Sequence, residues 1–206
     1  MPIYLKVEIG MVKWKEISQK LKMLYIIFPL WGIGGFSSCN TDDFEFEKRY
    51  QCYFTFDCGM HQGTALQSCV NPMSSGLFCM VWQGSKDGVR NINIQLYNQK
   101  TENVPITTAI ETRQSCILGA SNGLVIGCSN LNDGKLYAFD RQCPNCINTG
   151  TKKALQWENN GLWLKCPKCE RVYDLNNNGF VVKGESGDKL MRYRATYNGT
   201  MLMVGN

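Results

Sequence analysis

Two Cys-Pro-x-Cys units constrain this chain more than any other feature. The first is Cys143 and Cys146, the second is Cys166 and Cys169, and nineteen residues lie between them. Each unit follows a short apolar run, and a Cys-x-x-Cys pair curls the backbone so that both sulfurs point to one side of a knuckle. One such pair is also compatible with a redox dithiol or a disulfide. Two matching pairs at this spacing predict four thiolates that meet at one metal ion or one small cluster.

The first 38 residues have the pattern of a secretory signal. Lysines come first, residues 23–33 are apolar and uncharged, and small residues follow. The apolar part is shorter than the roughly 20 residues of a spanning helix. The sequence Phe-Ser-Ser-Cys at residues 36–39 resembles a bacterial lipobox, which implies lipidation at Cys39. We therefore expect a lipoprotein signal peptide at residues 1–38 and a protein lipid-anchored to the outer membrane of a bacterial cell envelope, on its periplasmic or surface side. An ordinary signal peptide with an incidental cysteine is the alternative.

Residues 39–48 follow as a short acidic segment, for which we predict a disordered tether. The signal contains five of the 22 basic and two of the 17 acidic residues, so the formal net charge of +5 falls to +2 without it. No run of basic residues with interleaved aromatics occurs, and nucleic acid is therefore not an expected partner. The remaining residues 49–206 are enough for one domain with its own core.

Short strands and tight turns dominate residues 49–206. Alternating, aromatic or β-branched runs predict strands at residues 50–56, 77–82, 89–97, 116–118, 123–128, 135–139, 162–165, 172–175, 180–183, 190–197 and 201–204. Asp-Gly or Asn-Gly dipeptides lie between many of them and suit hairpin turns, in which both residues take positive φ. No segment keeps a helical apolar period for three turns. The predicted fold class is all-β, with short antiparallel strands in a sandwich or barrel.

Six more cysteines lie outside the knuckles and the lipobox. An even number in an exported chain predicts up to three disulfides among Cys52, Cys58, Cys69, Cys79, Cys116 and Cys128. For Cys79 and Cys128, which lie inside apolar runs, the alternative is a free thiol packed as a small apolar side chain.

The second half of the chain resembles the Rieske iron–sulfur domain family. The resemblance is carried by Gly-Leu-Val-Ile-Gly at residues 123–127, by residues 135–140 leading into Cys143, by residues 164–169 with the following Tyr-Asp, and by the closing Asn-Gly hairpin at residues 198–199. It implies an antiparallel β-sandwich over residues 49–206. Its metal-binding tip, at about residues 139–175, would hold a [2Fe–2S] cluster between two loops.

The ligands depart from that family's pattern. Asn145 stands where the family has its first His ligand and Cys169 where it has the second, and the only His in the chain is His61. Two-His ligation of an iron is therefore excluded, and residues 184–190 also lack the prolines of the family's covering loop. Three interpretations stay open: a [2Fe–2S] cluster on four thiolates, one tetrahedral Zn²⁺ or Fe as in zinc ribbons and rubredoxin-like knuckles, or two disulfides.

Basic and aromatic residues flank the knuckles. Arg141 precedes the first, and Lys165, Lys168 and Arg171 surround the second. These cations would lower the pKa values of the thiols, while a solvated surface explains them equally. Trp157 and Trp163 suit either shielding of the site or ordinary core packing.

Two functional hypotheses follow. In one, the domain is a single-electron carrier that serves a redox partner in the envelope. In the other, a closed Cys₄ zinc site or a pair of disulfides stabilises a β-domain that acts as a binding or assembly module. An enzyme with a small-molecule substrate is not expected, because no nucleophile or paired-carboxylate motif is present and four protein ligands leave a metal no open position.

Overall fold

The computed structural model describes residues 45–131 and 134–206. Over these residues the chain forms thirteen strands: β1 Cys52–Asp57, β2 Phe78–Lys86, β3 Val89–Leu96, β4 Glu102–Pro105, β5 Ile117–Leu118, β6 Gly123–Cys128, β7 Leu136–Asp140, β8 Gln156–Glu158, β9 Trp163–Lys165, β10 Val172–Asp174, β11 Phe180–Lys183, β12 Arg192–Tyr197 and β13 Met201–Gly205. Three short helices join them: α1 Ala65–Cys69, α2 Ala109–Arg113 and α3 Pro144–Ile147. The all-β prediction is confirmed.

The strands form two antiparallel sheets. The larger has nine strands in the order β4-β3-β2-β6-β7-β12-β13-β1-β5, and the smaller has four in the order β11-β10-β9-β8. β6 lies near the middle of the larger sheet, and all six of its residues are buried. Leu124 and Ile126 face a first core, whereas Val125 between them faces a second. A strand with both faces covered is expected to be apolar throughout, as β6 is.

The second core lies between the two sheets. Phe78, Met80 and Phe139 of the larger sheet and Leu164 and Tyr173 of the smaller one belong to the same apolar cluster. Three of the four knuckle cysteines belong to it as well. The two knuckles are therefore anchored in the packing that holds the smaller sheet against the larger one.

Each of the eleven predicted strands matches an observed one within two residues at either end, except that β2 continues to Lys86. β4 and β8 were not predicted, because four and three mostly polar residues carry too little alternation to be recognised. The helices were not predicted either, since five residues or fewer cannot display a helical period. Positive φ is confirmed for both residues of the Asp87-Gly88, Asn160-Gly161 and Asn178-Gly179 turns, whereas at residues 198–199 only Gly199 has it.

The end of the acidic segment is docked on the domain. The Glu47 N–H donates to the Arg192 carbonyl over 2.7 Å, and the Phe46 ring lies 4.9 Å and 4.7 Å from the guanidinium carbons of Arg192 and Arg194. Glu45 forms an ion pair with Arg192. The predicted disorder is therefore wrong for residues 45–48. The signal peptide, residues 39–44 and Cys39 lie outside the described residues, and within those described no helix has the length and apolarity to cross a membrane.

The predicted disulfides are not formed. All ten cysteines of the described residues are free thiols. Five of the six outside the knuckles are fully buried, and all of these except Cys128 belong to the first core, namely Cys52, Cys58, Cys69 and Cys79. The alternative of a free, apolar-packed thiol therefore holds for Cys79 and Cys128 and extends to their neighbours.

Candidate metal centre

The four knuckle sulfurs converge. The Sγ atoms of Cys143, Cys146, Cys166 and Cys169 all lie within 4.8 Å of one another. Cys143 Sγ is 3.7 Å from Cys169 Sγ, and Cys146 Sγ is 3.6 Å from Cys166 Sγ. An S–S bond is about 2 Å long, so these sulfurs are not paired as disulfides. The prediction that both knuckles meet at one point is confirmed.

The first knuckle is a strand end that turns into a helix. β7 ends at Asp140, and Pro144 begins α3 in the first helical position, where its missing N–H leaves no bond unmade. The Ile147 N–H donates to the Cys143 carbonyl over 3.1 Å. The Cys146 N–H donates to Cys143 Sγ. The Cys-Pro-x-Cys sequence thus forms one helical turn, whose backbone donates a hydrogen bond to the sulfur of its first cysteine.

The second knuckle is the tip of the hairpin between β9 and β10. Lys165 pairs with Val172 at the end of the two strands. Beyond that pair, the Cys166 N–H donates to the Arg171 carbonyl over 3.0 Å, and the Glu170 N–H donates to the Cys166 carbonyl over 3.0 Å. Glu170 has a φ of 57°, in the left-handed region that closes such a turn. The hairpin therefore presents both of its cysteines on the side that faces the first knuckle.

A buried polar network supports the first knuckle from below. The fully buried Asp140 carboxylate accepts from the Tyr193 hydroxyl over 2.8 Å, from the Ala120 N–H over 2.6 Å and from the Gln142 N–H over 2.7 Å. Gln142 in turn donates to the Cys143 carbonyl over 3.0 Å. Burial raises the pKa of Asp140, and these hydrogen bonds oppose that rise. The network connects the first core to the metal-binding tip.

Sequence reasoning did not assign these supporting roles. Asp140 and Tyr193 are separated by 53 residues, and nothing local predicts their contact. The available signal was a pair of polar residues, Asp140 and Gln142, placed between an apolar strand and the first knuckle. Gly119 is a further member that was not identified. A Cβ at Gly119 would lie 2.7 Å from the Tyr193 hydroxyl and overlap the Asp140 carboxylate.

Hydrogen-bond donors approach the sulfurs from outside the knuckles. The Tyr173 hydroxyl lies 3.3 Å from Cys143 Sγ, and both the backbone and the side chain of Arg171 donate to Cys169 Sγ. Burial acts to raise the pKa of Cys169, but the Arg171 bonds bring it down to about 7. Burial raises the pKa values of Cys143 and Cys146. The partly exposed Cys169 therefore ionises more readily than Cys143 or Cys146 before a cation arrives.

Of the four flanking cations, Arg171 alone is shown donating to a knuckle sulfur in the described part of the chain. Lys168 Nζ donates to Thr151 Oγ1 over 2.7 Å, and the Arg141 guanidinium carbon lies 5.3 Å from the Trp82 ring centre. Trp157 packs on the second core, and Lys183 covers Trp163 with its Nζ 4.6 Å from the ring centre. The solvated-surface and packing interpretations thus suit most of these residues.

Of the other sequence candidates, His61 is not part of the four-thiol cluster. His61 Nε2 is 3.1 Å from the buried carboxylate of Glu111, and the His61 ring lies 4.9 Å from the ring of Phe56 in the first core. Asn145 lies within the first knuckle and bonds Tyr173 and residue 188. Across the described ranges, the knuckle cysteines are the one cluster of three or more Cys, His, Asp or Glu side chains with metal-binding spacing.

The spacing suits a metal ion. Four sulfurs around one ion at about 2.3 Å lie at the corners of a tetrahedron with edges of about 3.8 Å. Two of the observed sulfur–sulfur distances are 3.6 Å and 3.7 Å, and all six are within 4.8 Å. All four positions of such an ion would be filled by the protein.

A scan against models of known protein families and a search of curated proteins found nothing that matches this chain.

Proposed function

We propose that Cys143, Cys146, Cys166 and Cys169 hold one structural zinc ion, and that the chain is a metal-stabilised β-domain that acts as a binding or assembly module. The observation that carries the proposal is the mutual separation of the four sulfurs, none of which lies more than 4.8 Å from another. One tetrahedral ion requires that compactness, because its six sulfur–sulfur edges are all about 3.8 Å long.

A [2Fe–2S] cluster needs a more open arrangement. Each of its two irons takes its own pair of thiolates, and the sulfide bridge between the irons pushes the two pairs apart. Sulfurs of different pairs are then on the order of 5–6 Å apart. The observed sulfur–sulfur spacing favours a single ion over the [2Fe–2S] cluster that the Rieske resemblance implies. It therefore also counts against a Rieske-type electron carrier, which depends on that cluster.

The position of the centre supports a structural role. The first knuckle continues from β7 of the larger sheet, and the second is the tip of the β9–β10 hairpin of the smaller sheet. An ion bound by both would cross-link the two sheets at one end of the second core. Thiolates that meet only in the folded state convert metal-binding free energy into folding free energy.

One-electron transfer through a single iron is the second candidate. It is favoured by Cys169, whose side chain reaches the surface while the other three thiols are buried. A partly exposed thiolate offers a short path for an electron between a four-thiolate iron and a redox partner in the envelope. In this alternative, as with zinc, no ligand position is open to a substrate.

The predicted lipid anchor at Cys39 would hold the domain close to a membrane. Glu45 is paired with Arg192 of the domain, and a stretch of six residues such as 39–44 can span at most about 20 Å. The lipoprotein and outer-membrane assignments are sequence predictions. Mass spectrometry of the N-terminal peptide, with Cys39→Ala as the unmodified control, tests them directly.

Metal analysis of the full chain, purified without oxygen or chelators, tests the proposed function. We expect one zinc per chain, no acid-labile sulfide and no visible absorption. Cys166→Ser should remove the zinc, whereas Cys116→Ser, which alters a partly exposed thiol outside the knuckles, should retain it. Two irons and two sulfides per chain would overturn the zinc proposal in favour of the cluster. One iron without sulfide would support the second candidate.

A further inference from the structure

The loop at residues 184–189, which we call the strap, is fastened to the first knuckle by Asn145. We propose that Asn145 is a positioning residue for the metal centre: it latches the strap and directs the Tyr173 hydroxyl at Cys143 Sγ, and both actions slow metal loss. The inference rests on the proposed metal centre and assigns a role to a residue that occupies no ligand position.

The amide of Asn145 is saturated by specific partners. Its Oδ1 accepts from the Asp188 N–H over 2.9 Å, and its Nδ2 donates to the Asp188 carbonyl over 3.0 Å and to the Tyr173 hydroxyl over 2.9 Å. A backbone N–H can only donate, so the Asp188 bond fixes which end of the amide is oxygen. The nitrogen must then face Tyr173.

That orientation sets the direction of the tyrosine proton. An amide nitrogen donates and cannot accept, so Tyr173 oxygen accepts from Asn145 and keeps its own proton for another partner. Cys143 Sγ lies 3.3 Å away on the other side of the hydroxyl. The chain Asn145–Tyr173–Cys143 therefore ends in an O–H···S bond that stabilises a thiolate bound to a cation.

The strap is exposed from residue 184 to residue 188, yet several bonds hold it in place. Asn148 Nδ2 donates to the Asp188 carboxylate over 2.8 Å. Arg171, which also donates to Cys169 Sγ, donates to the Glu185 and Ser186 carbonyls over 2.9 Å and 3.2 Å. One strap thus bonds to residues of both knuckles without burying an apolar side chain of its own over residues 184–188.

Gly187 allows the strap to approach this closely. A Cβ at Gly187 would overlap Asn145 Oδ1 and lie 2.9 Å from its Cγ. Gly187 is not among the glycines with positive φ, so its backbone accepts alanine. The expected harm comes from the lost space beside Asn145 and, to a smaller extent, beside Arg171 Nε, which would lie 3.1 Å from the Cβ. Gly187→Ala is therefore a second way to open the latch, from the strap side.

The test is the rate at which the zinc-loaded full chain gives up zinc to excess 4-(2-pyridylazo)resorcinol. We expect Asn145→Ala to release zinc about 10-fold faster, the lower end of the effect of removing a partner of a metal ligand, and Gly187→Ala to act in the same direction. Ser186→Ala is the matched control, because Arg171 uses only the carbonyl of Ser186. A rate for Asn145→Ala within twofold of this control would overturn the latch.

A cobalt spectrum separates positioning from general loosening. In the Co²⁺-loaded chain, Asn145→Ala should shift the thiolate-to-metal charge-transfer band in the same direction as Tyr173→Phe. Tyr173→Phe removes the O–H···S bond, and Asn145→Ala removes the contact that orients it. An unshifted band would contradict the positioning role. If the unaltered chain binds metal with four thiolates but the variants behave like the control, only the proposed role of Asn145 is rejected. If the unaltered chain binds no metal, the proposed metal centre is rejected as well.

Discussion

The first core and the second core use the same residue for opposite purposes. The first contains four buried cysteines that pack as apolar side chains, and the second contains three of the four that form the knuckles. Burial does not distinguish them, because Cys79 and Cys166 are both fully inaccessible. The difference lies in convergence. Four knuckle sulfurs meet at one point and face a donor such as the Tyr173 hydroxyl. The core thiols are packed among apolar side chains, where Cys69 and Cys79 hydrogen-bond each other as a pair.

The thiol pKa values follow that difference. Burial raises the pKa of Cys52 and of Cys58 to about 12, so that both stay protonated at neutral pH. Cys169, beside Arg171, has a pKa of about 7. Only a thiolate binds metal well. The comparison teaches that local donors and neighbouring sulfurs, rather than the number of cysteines, decide where a metal centre can form.

Removing a knuckle thiol should have the largest effect. We expect Cys166→Ser to abolish stoichiometric metal binding and to lower the free energy of unfolding by about 4 kcal/mol or more, as expected for loss of a structural metal. Metal content and chemical denaturation measure the two effects. A variant that retained a full complement of metal would show that the four thiols do not act together.

Changing Asp140, whose hydrogen bonds connect the first core to the first knuckle, should have the second-largest effect. Asp140→Ala leaves the Ala120 N–H, the Gln142 N–H and the Tyr193 hydroxyl without their acceptor. Unpaired buried groups cost about 1–3 kcal/mol each, and relaxation makes about 3 kcal/mol in total a reasonable expectation. Asp140→Asn, which keeps an acceptor, should lose less in the same denaturation experiment. Equal losses would mean that one amide oxygen does not replace the two carboxylate oxygens, and that the side-chain volume kept by Asn contributes little at this position.

Alkaline pH should destabilise the packing of the first core. An unfolded thiol ionises near pH 9.0, whereas Cys52 and Cys58 hold their protons to about pH 12. Their stabilising contribution is fully present below pH 9 and is lost as the pH rises towards 12. Each thiol should lower the free energy of unfolding by about 1.4 kcal/mol per pH unit in that window.

Denaturation from pH 8 to pH 11 in a non-thiol reductant measures this slope. Compared with the unaltered chain, Cys52→Ala should reduce the slope of unfolding free energy against pH by about the contribution of one thiol. An unchanged slope would contradict the assignment of Cys52 as a protonated core thiol.

Removing one core thiol should have the smallest effect. Cys79→Ala deletes a single buried atom, and by comparison with other small core truncations we expect a loss of about 1 kcal/mol. Metal content should not change. A loss of metal in this variant would break the distinction between the two regions.

Much of this arrangement could be predicted because it is local. The knuckles are defined by spacing within four residues, and Asp87-Gly88 marks its turn without distant information. The contacts that support the centre are not local: Tyr193 reaches Asp140 across 53 residues, and residue 188 reaches Asn145 across 43. Disulfides were predicted from cysteine number, which carries no information about which sulfurs meet.

X-ray absorption at the metal edge of the purified full chain tests the central claim most directly. The single-ion account predicts four sulfur neighbours at about 2.3 Å and no metal neighbour. A second metal atom in the first few ångströms, or fewer than four sulfurs around the ion, would contradict it.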